Sequence, residues 1–314
     1  MSVLLADIGG THARIALFKD NHIGAATKHS LKDFTDAAAL FKTYEGQSDR
    51  VMIAAAGRLD KDGVWRIGNH NDWEIDPNAL RRLGIDHTHF IHDFVALAQG
   101  ALALPQDQLI TLYEGDVDHD HQRVIAGAGT GLGLAIATPT GDSSFKILRS
   151  HGGFNLAVTH TQEQMTVVNL VRRLQDTGEA VCYEDMVSGR GLPILYKAVA
   201  MTHGLDIDWP AEPDLIALSK TVTGAQTLRL FHEFLGYFLQ GVSISAHATG
   251  GIYLDGGVIQ KLYETGLFDL ETVLGALHLC DNKTVSAMLR NIPVYLVNTE
   301  NVALHGLSKM VVHE

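Results

Sequence analysis

The stretch Val3-Leu4-Leu5-Ala6-Asp7-Ile8-Gly9-Gly10-Thr11, running on into Ile15-Ala16-Leu17-Phe18, decides how this chain folds. An apolar β-type run, a glycine pair and a second apolar run predict two strands joined by a tight turn. Glycine there leaves backbone N–H groups uncovered, and with the Thr11 hydroxyl they can cradle a phosphate. The pattern recurs at Val124-Ile125-Ala126, followed by Gly127-Ala128-Gly129-Thr130-Gly131-Leu132-Gly133 and then Leu134-Ala135-Ile136-Ala137. Two such turns, about 120 residues apart, predict two half-domains gripping one nucleotide triphosphate from opposite sides.

Alone, the first turn reads more readily as an ordinary tight hairpin than as a phosphate site. It is not a dinucleotide-binding fingerprint, because Gly9-Gly10 joins strand to strand rather than strand to helix. No lysine follows in the G-x-x-x-x-G-K-[ST] context of a P-loop. An acid just before the turn suits a metal that arrives with the nucleotide: Asp7 can hold a water on Mg²⁺, which keeps several waters and takes few protein ligands. The second turn and the segment Gly250-Gly251-Ile252-Tyr253-Leu254-Asp255-Gly256-Gly257-Val258 move the balance to nucleotide binding.

At 314 residues the chain is long enough for two domains, and 46% hydrophobic content makes it globular rather than disordered. No apolar run approaches a membrane-spanning length, and the first residues enter a strand without a basic-then-apolar leader. Two cysteines, Cys182 and Cys280, are too few for a disulfide framework and fit a reducing cytoplasm. A net charge of −12 argues against a general nucleic-acid surface. These features predict a cytoplasmic enzyme with no nucleic-acid or membrane partner.

Along the chain, strands alternate with helices, the signature of an α/β class. A hairpin covers the first 20 residues. Asp36 to Tyr44 is helical, Val51 to Ala56 a buried strand, and residues 58–68 a hairpin turning at Lys61-Asp62-Gly63. Asp76-Pro77 opens a helix through Leu83, closed by Gly84. His89 to Asp93 is a strand delivering an acid at its end, and a helix runs from Phe94 to Leu102. Pro105 to Asp107 marks the crossing into a second domain. Helices are predicted at Gln162–Gln175 and Ala225–His247, a strand at Ile292–Val297 and a closing helix at Ala303–Val311.

With Asp7 to Arg14 (D-I-G-G-T-x-A-R), Gly127 to Gly133 (G-A-G-T-G-L-G) and Ser188 to Leu192 (S-G-x-G-L), the chain resembles the bacterial glucokinases. These belong to the actin-like/hexokinase ATPase superfamily, and the likeness runs over nearly the whole length, to the strand Ile292 to Leu296. It implies a two-domain actin-like ATPase (ribonuclease H-like) fold with an interdomain cleft. Residues 1–105 plus 298–314 would form the small domain and 106–297 the large one, with the helix at 226–247 in its core. It implies ATP with Mg²⁺, phosphoryl transfer to a hexose 6-hydroxyl, and a homodimer. The donor residues would be Ala6, Asp7, Ile8, Gly9, Gly10, Thr11, Gly127, Gly129, Thr130, Gly131 and Gly133. Gly250, Gly251, Gly256 and Gly257 would lie against adenosine, although Asp255 stands where a small residue is expected.

On the acceptor side the resemblance implies Asn69, His92, Asp93, His151, Gly152, Gly153, Phe154 and Glu184. Asp93, in Ile91-His92-Asp93-Phe94, matches the family acid that takes the proton of the attacking hydroxyl; the bland alternative is a helix cap. A carboxylate is a weak base for an alcohol, but phosphoryl transfer asks mainly for positioning and charge neutralisation. Three neighbours depart from the pattern. His92 replaces an asparagine. In Ser150-His151-Gly152-Gly153-Phe154, aligned with G-E-G-G-H, His151 replaces the glutamate and Phe154 the histidine. Glu184, before Ser188-Gly189, is retained.

A neutral imidazole offers one donor and one acceptor, and phenylalanine neither. Losing two or three hydroxyl contacts costs several kcal/mol, on the order of 10²–10⁴-fold in rate. Glucose is therefore the default acceptor, with an altered sugar preference expected, Phe154 stacking on an apolar sugar face or accommodating a substituent. A degenerate sugar sensor is the competing class, and retention of Asp7, Asp93 and Glu184 argues against it. A kinase for a non-hexose acceptor such as acetate is disfavoured by the S-G-x-G-L and I-x-D-F motifs. The histidine-rich Asp118-His119-Asp120-His121 and His87-Thr88-His89 lack zinc spacing and read as solvated loops.

Overall fold

The computed structural model describes residues 2–67, 73–141, 144–175 and 180–311. Contacts divide the chain into two units: Met1–Gln108 with Ile147–Arg149 and Thr299–Glu314, and Leu109–Lys146 with Ser150–Asn298.

In the first unit the opening hairpin forms as its sequence predicts. Strands Ser2–Ile8 and His12–Lys19 pair antiparallel, with Asp7 opposite Arg14. Strand Arg50–Ala55 lies parallel beside the first, and His87–His92 parallel beside that. Alternation sorts the side chains onto two faces. Leu4, Ala6 and Ile8 join a core with Leu40, Phe41, Ile53 and Trp65, whereas Val3, Leu5, Met52 and Ala54 pack with Ala303, Leu304 and Leu307. Both faces are covered, so the strands read as nearly continuous apolar runs.

The second face is closed by two helices, Asp93–Ala103 and Val302–Val311. Their close approach rests on glycine. A Cβ on Gly306 would stand 1.8 Å from the Ala96 carbonyl, and one on Gly100 would stand 2.0 Å from that of Val302. This crossing seats the helix whose first residue is Asp93.

The second unit repeats the topology. Strands Arg123–Ala128 and Leu132–Pro139 form an antiparallel hairpin, Ile252–Asp255 lies parallel to the first of them, and Val294–Val297 lies parallel to that. Strand Leu109–Tyr113 extends the sheet antiparallel beyond Val294–Val297. The repeated glycine turns thus sit at equivalent corners of two sheets of like order. Helix Val222–Ala246 is enclosed on most of its circumference, with Phe231, Phe234, Leu235 and Phe238 each no more than 1% exposed.

Several element boundaries move. Helix Gln162–Leu174 opens on a Thr161–Gln164 capping box, and the short helix Pro77–Arg81 opens on Asp76. The helix expected from Phe94 starts one residue earlier, at Asp93. Helices Gly191–Thr202, Leu270–Leu277 and Lys283–Arg290 were not anticipated. The first begins at the end of Ser188-Gly189-Arg190-Gly191, and it buries residues on most sides rather than along one stripe.

Candidate active site

The first glycine turn is closed by a hydrogen bond from the Gly9 N–H to the His12 carbonyl at 3.0 Å. It is braced by a second, from the Leu31 N–H to the Thr11 carbonyl, also at 3.0 Å. Thr11 is exposed at the tip. Asp7 stands at the head of the turn with its side chain one-fifth exposed, and the Arg14 guanidinium lies 3.8 Å away. Burial, with the nearby charges of Lys28 and Arg14, holds His12 below its ordinary imidazole pKa. Ala6 and Ile8 are fully buried in the sheet core. Their side chains support the turn and do not face a ligand.

In the same unit, strand His87–His92 ends where Asp93 opens its helix. Asp93 Oδ1 accepts the Phe94 N–H at 2.8 Å, so the acid does cap its own helix. His92 Nδ1 lies 2.9 Å from the same oxygen but outside hydrogen-bond geometry, and it is a buried nitrogen without a hydrogen-bond partner among the described residues. Oδ2 of Asp93 has no partner among the described residues. One carboxylate oxygen is anchored by the start of its own helix, and the other is not. Asn69 lies outside the described residues.

In the second unit, the Gly129-Thr130-Gly131 turn closes with Gly129 N–H donating to the Gly131 carbonyl at 2.9 Å. Gly127 and Gly133 face each other two steps further back in the hairpin, behind the Ala128–Leu132 pair. Gly256, at φ +102°, presses on this strand end: a Cβ there would stand 2.5 Å from the Ala128 carbonyl. A Cβ on Gly129 or Gly257 would meet nothing within 4 Å, so space is open in front of both. Gly257 starts the helix Gly257–Glu264, whose N-terminal N–H groups favour an anion.

Gly250 and Gly251 are not brought to this end. They precede the strand Ile252–Asp255, and Gly250 packs on the His121 and Gln122 carbonyls, at the start of the strand whose far end carries the turn. Four residues of strand separate the two glycine pairs, roughly 13 Å. Asp255 is buried and accepts from the Gln260 side chain at 2.6 Å. The carboxylate in place of a small residue is therefore occupied within the protein.

The segment Gly152–Phe154 packs on the outgoing strand of the same hairpin. Gly152 and Gly153 are buried in a 3-10 turn, Gly152–Phe154, where added Cβ atoms would stand 2.4 Å from a Leu134 methyl and 2.2 Å from the Leu132 carbonyl. His151 and Phe154 flank them, both exposed, Phe154 at 60%, with ring centroids 6.3 Å apart. Glu184 is inward, its side chain 14% exposed. Its Oε2 accepts the Leu132 N–H at 2.8 Å and its Oε1 accepts Arg190 Nη2 at 2.7 Å. Sequence reasoning missed Arg190, although it occupies the open position of the S-G-x-G-L motif.

No group of three or more metal-ligating side chains occurs among the described residues. His121 pairs with Asp118 at 2.7 Å, which holds the Asp118 carboxyl below its usual range, and this loop gathers no third ligand.

A glucokinase family profile matches residues 4–314. The chain belongs to the glucokinase family. It is an ATP-dependent hexose kinase. Its sequence is 30% identical to the glucokinase of Pseudomonas paraeruginosa over 314 residues, 96% of this chain and 90% of that one. Among solved structures, the glucokinase of Balamuthia mandrillaris in complex with glucose aligns at a TM-score of 0.81. It is 21% identical, with 98% of this chain and 92% of that one covered. A ROK family glucokinase from Streptomyces griseus, in complex with glucose and AMPPNP, aligns at 0.61 with 17% identity over 100% of both chains. At those identities the structural likeness speaks for the fold, the two-unit α/β arrangement of actin-like ATPases. No helix among the described residues is long and apolar enough to cross a membrane.

Proposed function

We propose that this glucokinase-family kinase transfers the ATP γ-phosphoryl group to a sugar 6-hydroxyl, with Asp93 as the base. The carrying observation is the division of labour in its carboxylate. Oδ1 is fixed by the Phe94 N–H, while Oδ2 has no partner among the described residues. As the hydroxyl oxygen attacks the γ-phosphorus, its proton passes to Asp93, and the bond from that phosphorus to the bridging oxygen breaks, the electron pair leaving with ADP. Proton transfer of this kind contributes about 10²–10⁴-fold, and alignment of the hydroxyl supplies much of the rest.

The Gly9-Gly10-Thr11 turn and the Gly129-Thr130-Gly131 turn each offer N–H groups of the kind that hold a phosphate, and Gly256-Gly257 would support the nucleotide. Mg²⁺ accompanying ATP would neutralise charge on the phosphates. A single, partly exposed carboxylate suits a metal bound mainly through its waters, and Asp7 would hold one of these waters.

Glucose is the default acceptor, with preference altered by His92, His151 and Phe154. Support comes from the exposure of His151 and Phe154 on a rigid glycine pair: they can meet a ligand, and Phe154 offers it an apolar face instead of a hydrogen bond. The same substitutions favour, as a second reading, a sugar sensor that binds without turnover. A cytoplasmic homodimer completes the proposal, and light scattering of the purified protein reads its mass directly.

Measuring ADP release with ATP and Mg²⁺ across a hexose panel tests the whole. Sugar-stimulated turnover that disappears in Asp93→Asn is the expected result. Sugar binding without turnover on any hexose would replace the kinase with the sensor. Glucose turning over as efficiently as in a relative with the full G-E-G-G-H motif would remove the altered preference.

A further inference from the structure

Three residues at the tip of the second phosphate turn are each held by the segment Glu184–Arg190. The Gly189 N–H donates to the Gly129 carbonyl at 2.7 Å. Arg190 Nε donates to the Thr130 carbonyl at 3.2 Å. The Leu132 N–H donates to Glu184 Oε2 at 2.8 Å, and Arg190 Nη2 closes the circuit on Glu184 Oε1 at 2.7 Å.

The peptide unit is planar and trans, so its carbonyl and the following N–H point in opposite directions. Drawing the Gly129 and Thr130 carbonyls toward residues 189 and 190 therefore turns the N–H groups of Thr130 and Gly131 the other way. Neither of those donors has an acceptor among the described residues. Two adjacent N–H groups fixed in this way form an anion-binding concavity. Gly129 and Gly131 have backbones that adjust to it at little steric cost.

We infer that Arg190 is a positioning residue for the ATP phosphates. It acts through the Thr130 peptide, and Glu184 holds its guanidinium in place for that task. Arginine suits the position because its planar fork presents Nε and Nη2 to two acceptors at once, which a lysine ammonium on a flexible stem does not. Glu184 consequently serves the donor loop, whatever it also offers the sugar. This inference rests on the assignment of the turn to ATP.

The test is titration of the full chain with a non-hydrolysable ATP analogue and Mg²⁺, alongside steady-state kinetics. Arg190 is on the surface, with a side chain 53% exposed, so its replacement leaves the core intact. Losing its charge-assisted bonds should weaken analogue binding in Arg190→Ala about tenfold. Arg190→Lys should fall between, and free guanidinium ion should restore part of the affinity to Arg190→Ala. KM for ATP should rise in step, with kcat changing less. Unchanged analogue affinity in Arg190→Ala, or a loss confined to kcat with KM for ATP intact, would overturn the positioning role. Failure of the unmodified protein to bind the analogue would instead overturn the nucleotide assignment on which the role depends.

Discussion

His92 Nδ1 and Asp93 Oδ1 lie 2.9 Å apart at the junction of a strand and a helix, and only Asp93 is hydrogen-bonded there. The backbone turns between them, with His92 extended at φ −66° and ψ 136° and Asp93 already helical. One residue ends the sheet and the next begins the helix, so a single peptide sets where the acid points.

Asp93→Asn keeps an oxygen for the Phe94 N–H and removes the charge that accepts the proton. The expected outcome is a fall in kcat of roughly 10²–10⁴-fold, with ATP affinity and melting temperature near those of the unmodified protein. Steady-state kinetics and a thermal melt on the same preparation check both halves.

Restoring His151→Glu and Phe154→His together should raise kcat/KM for glucose by about tenfold for each hydroxyl contact regained. Both positions are exposed, so stability should change by less than about 0.5 kcal/mol. A glucose saturation curve for the double variant gives the answer, and no gain would mean that these positions do not touch the sugar.

Gly306→Ala drives a methyl into the Ala96 carbonyl, for which there is no room. The two helices must part, at a cost of about 1–3 kcal/mol. Because the displaced helix begins with Asp93, kcat should fall along with the melting temperature. Denaturant unfolding and kinetics on Gly306→Ala measure the pair; a destabilised variant with normal kcat would separate the crossing from the chemistry.

His232 is 1% exposed, between Phe231 and Phe268, with Nδ1 on the Leu228 carbonyl at 2.6 Å and Nε2 accepting the Asp269 N–H at 3.2 Å. Only the neutral ring satisfies both bonds. Burial lowers its pKa below the ordinary 6.5, against a smaller upward pull from Leu228 and Asp269. Its contribution to stability is complete above pH 6.5 and is lost as pH falls through the depressed folded value. Thermal melts from pH 8 to pH 5 should therefore show acid destabilisation with a shallower slope in His232→Gln. Burial shifts His278 and His305 the same way, so part of the slope should remain.

Both glycine hairpins were legible because a glycine cluster between two apolar runs marks a tight turn, and pairing follows from alternation on each side. Asp93 was legible through its neighbours Ile91 and Phe94, although the start of its helix was placed one residue late, since an acid suits the last strand position and the first helical turn alike. The Gly250-Gly251 pair misled, because two GG doublets four residues apart look like one site until a strand is laid between them. Arg190 was invisible for a different reason. Its partners, the Thr130 carbonyl and Glu184, are 60 and 6 residues away, and a backbone acceptor carries no signature in sequence. The helix Gly191–Thr202 escaped because burial on most sides erases periodicity.

Gly152 and Gly153, pressed onto Leu132 and Leu134, make the segment Gly152–Phe154 and the strand that leaves the second glycine turn a single piece. His151 and Phe154 stand exposed on either side of that piece. Two codons can therefore be saturated in the laboratory while the glycines between them, and the backbone they wedge in place, stay untouched.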